Sequence, residues 1–234
     1  MDVRSVFRRH AALSLLSPEH LEELAKAATQ QRLRRGEAVW KSGEIASSFV
    51  FIGHGLVKVL IPGGPSRDLV LGLAGPGESV GDAAALEGTA HDSDAMALTE
   101  TAVVVRIPRD VVLAALQRVG AAAVALAVGL GRSGAVANRR LALFTASAEE
   151  RLATTLMELG ERFGDEMEDG STLIPLRLTR AELAALVGTT VETTIRTLSR
   201  WSREGLVSTG DCGLTVHDAV GLARRTAPVH AGRA

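Results

Sequence analysis

The chain has 234 residues, 46% of them hydrophobic and 23% charged, which suits a globular protein of two small domains rather than a disordered one. Its formal net charge of −1 offers no bulk attraction to polyanions, so any nucleic-acid contact has to be local, and its longest apolar run, residues 119–131, falls short of the roughly 20 residues that span a bilayer. One cysteine, Cys212, excludes a disulfide framework or a cysteine-ligated iron–sulfur cluster within one chain, and residues 1–12 lack the apolar core of a signal peptide, so the expected location is cytoplasmic with no membrane partner.

Ser17-Pro18-Glu19-His20 opens a short amphipathic helix, residues 21–28, with Pro18 at the first helical position. Residues 31–40 alternate loosely and turn at Gly36. Short β-rich runs follow at 49–52, 56–61, 69–73, 80, 95–98 and 102–107, divided by glycine- and proline-bearing turns. Strands this short, with turns every 8–12 residues or so, predict a β-sandwich or jelly roll. From Arg109 the periodicity is helical, with a short helix at 111–115 and a long one at 121–143. Gly129, Gly131 and Gly134 lie inside the long helix, where each costs about 1 kcal/mol relative to alanine. They suit a tight helix–helix contact, room for an apolar ligand, or a helix that forms fully only when an effector binds. Ser147 and Glu150 make a capping box for a helix at 148–162; residues 163–172 read as an acidic loop and 173–178 as a short strand.

Two short helical patterns then meet at Val187-Gly188-Thr189. Thr179 and Glu182 form a second capping box, Leu183, Leu186 and Val187 make an apolar stripe, and Gly188 supplies the tight turn of a helix-turn-helix. Thr190 can cap the second helix and Gly205 can end it. Thr194, Thr197, Leu198 and Trp201, at i, i+3, i+4 and i+7, form its packing face. The opposite face carries Val191, Glu192, Ile195, Arg196 and Ser199. An arginine there can fork onto guanine O6 and N7, and a glutamate one turn earlier can accept from cytosine N4. Arg177, Arg180, Arg196, Arg200 and Arg203, against Glu182 and Glu192, form a local basic face for phosphates.

On these residues the chain resembles the cyclic-AMP receptor protein and FNR family of bacterial transcription regulators. The run G-x-T-V-E-T-x-x-R at 188–196 and S-A-E-E-R-L-A at 147–153 are similar to the FNR branch, G-L-V-K-V at 55–59 fits the family's β-roll, and L-V-S-T-G-D-C-G-L-T-V at 206–216 looks like its winged hairpin, turned by Gly210 and Gly213. The resemblance implies an α+β chain: a β-roll (jelly-roll) sensor at 1–116, a dimerisation helix at 117–146 and a winged helix-turn-helix at 147–234. It also implies a homodimer on a near-palindromic double-stranded DNA site, with RNA polymerase as a candidate partner and an effector of unknown identity. Thr179, Arg180, Thr190, Val191, Glu192, Ile195, Arg196 and Ser199 are the expected DNA-binding residues. The receptor-protein branch carries arginine where Val191 stands, so the expected half-site is closer to T-T-G-A-T than to T-G-T-G-A. No activated serine, cysteine or metal constellation points to an enzyme.

The family's nucleotide-binding members cradle a cyclic phosphate with backbone amides and an Arg-Ser pair. The matching segments here are 77–86 and 91–95, with Asp82 in place of a ribose-binding glutamate, Ser93 in place of the serine and Asp92 in place of the arginine. Residues 68–105 hold no lysine or arginine against seven acids, so an anionic ligand is expected to meet like charge there. Gly81, Asp82, Ala83, Asp92, Ser93 and, from the dimer helix, Arg132 are the candidate residues for an effector other than a cyclic nucleotide. A cyclic-nucleotide-responsive regulator and an effector-independent architectural DNA binder are the competing readings. A haem cofactor would need an axial ligand, for which His54 and His91 are the candidates; no His-x-His pair supports a cupin-type metal site.

Overall fold

Alternation of side chains across a strand organises the first half of the chain. The computed structural model describes residues 1–63, 68–142 and 145–226. Its helices include α1 (Val3–Arg9) and α2 (Pro18–Ala27), followed by strands β1 (Thr29–Arg34), β2 (Ala38–Trp40), β3 (Ser48–His54), β4 (Val57–Ile61), β5 (Leu69–Ala74) and β6 (Ser79–Val80). Helix α3 (Asp82–Glu87), β7 (Asp94–Ala97), β8 (Thr101–Pro108), α4 (Arg109–Arg118) and α5 (Gly120–Ala142) complete this half. The strands form two four-stranded sheets, in the orders β1-β8-β3-β6 and β2-β7-β4-β5.

The central strands β3 and β8 are buried on both faces. Val50 and Ile52 with Ala102 and Val104 join Val57 and Ala97 of the second sheet in the core between the sheets. Phe49 and Phe51 with Val105 and Ile107, offset by one residue, belong to a second core completed by Phe7, Leu24, Val112 and Leu116 of the helices. Ala122 and Leu126 add the first turns of α5 to that core, while Val124 and Val128 stay exposed. This is a β-roll with helices over one sheet.

Two helices in this half are absent from the sequence reading. In α1, Asp2 accepts from the Arg4 N–H as N-cap, and Val6 and Phe7 are buried. In α3, glycines in the left-handed region flank the helix at Gly81 and Gly88, a cap pattern that reads as loop in sequence. The helix expected at 111–115 runs over the whole of α4. The long helix expected at 121–143 is α5; Leu143 lies outside the described residues.

The chain divides into two compact units, one built from Met1–Pro62 and Val70–Asn138, the other chiefly from Arg139–Ala234. The second contains α6 (Ala148–Phe163), β9 (Asp165–Glu166), β10 (Thr172–Ile174), α7 (Arg180–Val187), α8 (Val191–Arg203), β11 (Val207–Gly210), β12 (Gly213–Val216) and α9 (Ala219–Ala223). Its sheet has the order β11-β12-β10-β9. Two expectations are corrected. The stretch 163–172 is not all loop, because β9 pairs with β10. The strand expected at 173–178 ends at Ile174, since Pro175 has no N–H for the ladder and the Leu176 N–H turns back onto the Ile174 carbonyl.

Candidate DNA interface and effector segment

The helix-turn-helix is assembled from local signals. Thr179 Oγ1 accepts from the Glu182 N–H at 3.1 Å, and the Glu182 carboxylate accepts from the Thr179 N–H at 2.7 Å. Gly188 closes α7 at φ 68°, a left-handed conformation that strains any side chain. Thr190 Oγ1 accepts from the Thr193 N–H at 3.2 Å and starts α8. On α8, Thr194, Thr197, Leu198 and Trp201 are buried, as the spacing requires. Glu192, Ile195, Arg196 and Ser199 are exposed and Val191 half-buried. Ile195 leaves 47% of its surface open, a large apolar group displayed beside Glu192, Arg196 and Ser199.

The Glu192 carboxyl lies below the usual carboxylate range because a backbone N–H of its own turn and the Thr190 hydroxyl bond it, so at neutral pH it acts only as an acceptor. Arg180 Nη2 donates to Thr209 Oγ1 at 3.0 Å, tying the start of α7 to the wing hairpin β11–β12. The wing turns at Asp211 and Cys212, between the paired Gly210 and Gly213.

One member of the expected basic face points elsewhere. Arg200 lies 2.6 Å from Glu149 Oε2, and Arg225 bridges Glu149 and Glu204 at 3.0 and 2.7 Å. The Trp201 indole also donates to Glu149. Burial opposes ionisation of Glu149, but these bonds from Arg200, Trp201 and Arg225 outweigh it and lower its pKa. Arg200 therefore braces α8 against α6 rather than reaching for phosphate. Arg151, unremarked in the sequence, has a related part: its guanidinium donates to the carbonyls of Val187 (2.8 Å), Gly188 (3.0 Å) and Ala146 (2.6 Å). It thereby fixes the turn between α7 and α8 to the start of α6.

In the roll, Gly81 sits at φ 73° with His91 and Trp40 packed over it; a Cβ there would lie 2.8 Å from His91 Cε1 and 2.9 Å from the Trp40 ring. The two rings stack at 4.0 Å. The Trp40 indole donates to the Ser93 carbonyl at 2.9 Å, and Asp94 accepts from Lys41 Nζ (2.7 Å) and the Ser42 N–H (2.8 Å). Burial lowers the pKa of His91, with Arg106 adding to the shift and Glu44 and Asp92 opposing it. Lys41, just after β2, and Arg106 of β8 come from outside 68–105, so the uniform negative field expected of that segment is corrected: Lys41 pairs with Asp94 and Arg106 acts on His91.

Asp82 faces another way. Ser79 Oγ donates to its Oδ2 at 2.5 Å, His10 Nε2 lies 3.1 Å from the same hydroxyl, and Asp82 Oδ1 is buried without a partner among the described residues. The Leu13 N–H donates to His10 Nδ1, so neutral His10 carries its proton on Nε2 and the bonds run from Leu13 through His10 and Ser79 to Asp82. Burial raises the Asp82 pKa to about 6 against the Ser79 bond, and burial lowers that of His10 to about 4. The candidate effector residues are thus dispersed: Gly81 lies under the Trp40–His91 stack, Asp82 in the His10 network, Ser93 is buried, and Ala83, Asp92 and Arg132 are exposed. Among the described residues, no hydrogen bond or ion pair joins Arg132 to the segment. His54 is exposed at the end of β3, while His91 is buried.

The same two units are matched by known families. A model of the cyclic nucleotide-binding domain matches residues 30–119, and one of the Crp-like helix-turn-helix domain matches residues 150–225. The cyclic AMP receptor protein of Thermus thermophilus is 30% identical over 207 residues, covering 87% of this chain and 91% of its own. The chain belongs to the CRP/FNR family of DNA-binding transcription regulators.

Other CRP/FNR members are similar over comparable spans. The transcriptional regulatory protein btr of Bordetella pertussis is 29% identical over 210 residues, covering 87% of this chain and 83% of its own. The structure of FixK2 from Bradyrhizobium japonicum shares the fold at a TM-score of 0.75 and 22% identity, covering 86% of this chain and 98% of that one. CRP/FNR relatives are regulators, not enzymes, in line with the sequence reading. Among the described residues, no helix is long and apolar enough to cross a membrane and no group of three or more His, Cys, Asp or Glu is placed to hold a metal ion. Sequence reasoning missed Arg151, Trp40, Lys41, Arg106 and His10, because each acts through a neighbour far away in the chain.

Proposed function

We propose that this CRP/FNR protein works as a homodimer that reads a near-palindromic DNA site with α8 and is controlled by a small effector other than a cyclic nucleotide. The exposed stripe of α8 opposite its buried face carries the DNA reading. Arg196 forks onto guanine O6 and N7, ionised Glu192 accepts from cytosine N4, and Val191 and Ile195 pack on thymine methyls. Thr179, Arg180, Thr190 and Ser199 are the candidates for the flanking phosphates. The exposed Val124 and Val128 on α5 are the surface a second copy covers. Random-site selection with purified protein tests the reading: half-sites of the T-T-G-A-T kind about 10–10.5 bp apart support it, and a non-palindromic motif overturns it.

The roll's match to the cyclic nucleotide-binding domain favours a second reading, in which cyclic AMP or cyclic GMP is the effector. Three observations weigh against it: the Trp40–His91 stack over Gly81, the Ser93 carbonyl held by Trp40, and the Asp94 carboxylate held by Lys41. A nucleotide at 100 times its Kd adds about 2.7 kcal/mol of stability. We therefore expect no rise in Tm with millimolar cyclic AMP or cyclic GMP; a clear rise establishes the second reading.

A further inference from the structure

The DNA-binding unit contains a cleft of about 540 Å³ whose apolar floor lies apart from the exposed face of α8, although Thr179 and Arg180 of the DNA reading stand on its rim. Its floor is apolar: Leu156 and Leu159 of α6, Ile174 and Leu176 at the end of β10, Leu183 of α7 and Leu214 of the wing. Its rim is polar, with Arg177 and Arg180 on one side and Thr209 and Asp211 of the wing on the other. The volume lies within the range of small-molecule sites, and the pairing of an apolar floor with a few directed polar groups is their usual chemistry. Two guanidiniums and one carboxylate line this rim.

We propose that this cleft is a small-molecule site for an anionic amphiphile, an apolar chain ending in a carboxylate. The chain packs on the leucine floor, and the carboxylate pairs with the guanidiniums of Arg177 and Arg180 at the rim. Arg180 is also the residue that ties α7 to the wing through Thr209. A carboxylate on Arg180 competes with that tie and, on the DNA reading above, with a phosphate of the site. Occupancy of the cleft therefore weakens DNA binding. Only this coupling rests on the proposed function; binding in the cleft stands independently of it.

The test uses the full chain with decanoate as the anionic probe and decan-1-ol as its uncharged counterpart, followed by methyl NMR of Leu156, Leu176 and Leu214. We expect saturable shifts of these methyls with decanoate, at least tenfold weaker binding of decan-1-ol, and a comparable weakening of decanoate binding in Arg177→Gln/Arg180→Gln. Thr209→Trp, at an exposed rim position that leaves the core untouched, should abolish the shifts by filling the mouth. Arg196→Ala should weaken DNA binding and relax the preference at guanine yet keep the decanoate shifts, which separates a failure of the cleft from a failure of the DNA reading. In wild type, saturating decanoate should raise the Kd for the selected DNA by about fivefold or more. Absence of saturable shifts at millimolar decanoate, or shifts indifferent to both the arginine and the Thr209 variants, overturns the site. Equal affinity for decan-1-ol overturns the anionic head, and unchanged DNA affinity overturns the coupling.

Discussion

Replacing Asp82 by asparagine should change the pH dependence of the roll's stability more than its stability at any one pH. Two buried groups joined through Ser79 titrate in opposite senses. Asp82 has a folded pKa of about 6 against 3.8 for the free side chain. Its neutral form is favoured in the fold, so its contribution is fully present below pH 3.8 and is lost as pH rises through about 6. His10 has a folded pKa of about 4 against 6.5. Its contribution is present above pH 6.5 and is lost as pH falls through about 4. Each gap is about two pKa units, or about 3 kcal/mol at 1.36 kcal/mol per unit. Between about pH 4 and pH 6 the two slopes, each near 1.4 kcal/mol per pH unit, oppose one another and nearly cancel. Asp82→Asn removes one slope, and the roll should then gain about 3 kcal/mol on going from pH 4 to pH 6. The new amide keeps an acceptor for the Ser79 hydroxyl and places an N–H group where Oδ1 has no partner, a penalty of about 1–3 kcal/mol at every pH. Urea unfolding followed by Trp40 emission in a Trp201→Phe background isolates the roll, because the chain has two tryptophans. A flat profile for Asp82→Asn, or a steep one for wild type, would refute the assignment of these two protonation states.

The other predictions address the DNA-binding unit and the dimer. Arg196→Ala should lower affinity by about 1–3 kcal/mol and relax the preference at guanine, whereas Arg180→Ala should weaken all sequences alike and reduce the salt slope by about one; competitive binding over a salt series separates the two. Arg151→Ala leaves three carbonyls without their donor, so the DNA-binding unit should lose about 2–4 kcal/mol while the roll unfolds as before, which hydrogen exchange resolves unit by unit. Val128→Glu puts a charge on the exposed apolar face of α5 and should yield a monomer in light-scattering chromatography; elution of a dimer would remove α5 as the interface.

The helix-turn-helix was legible because its determinants are local. Two capping residues, one glycine turn and a 3.6-residue period lie within 25 residues, from Thr179 to Arg203, and each acts on a neighbour at most a few positions away. The alternating strands of the roll were legible for the same reason. The ends of elements were less so: β10 stops at Ile174 because of Pro175, while α3 depends on two left-handed glycines that sequence assigns equally well to a loop. The surroundings of Gly81 and Asp82 were decided only by the tertiary structure. His10 reaches Ser79 across 69 residues of sequence and Trp40 reaches Ser93 across 53. Lys41 and Arg106 likewise enter a segment that carries no cation of its own. Burial and charge depend on what the fold brings into contact, and no local pattern encodes which distant strand supplies the neighbour. Sequence by itself thus determined that this chain carries a helix-turn-helix and which side chains its second helix displays. The packing of strands far apart in the chain decided that Trp40 stacks on His91 over Gly81 and that Lys41 pairs with Asp94.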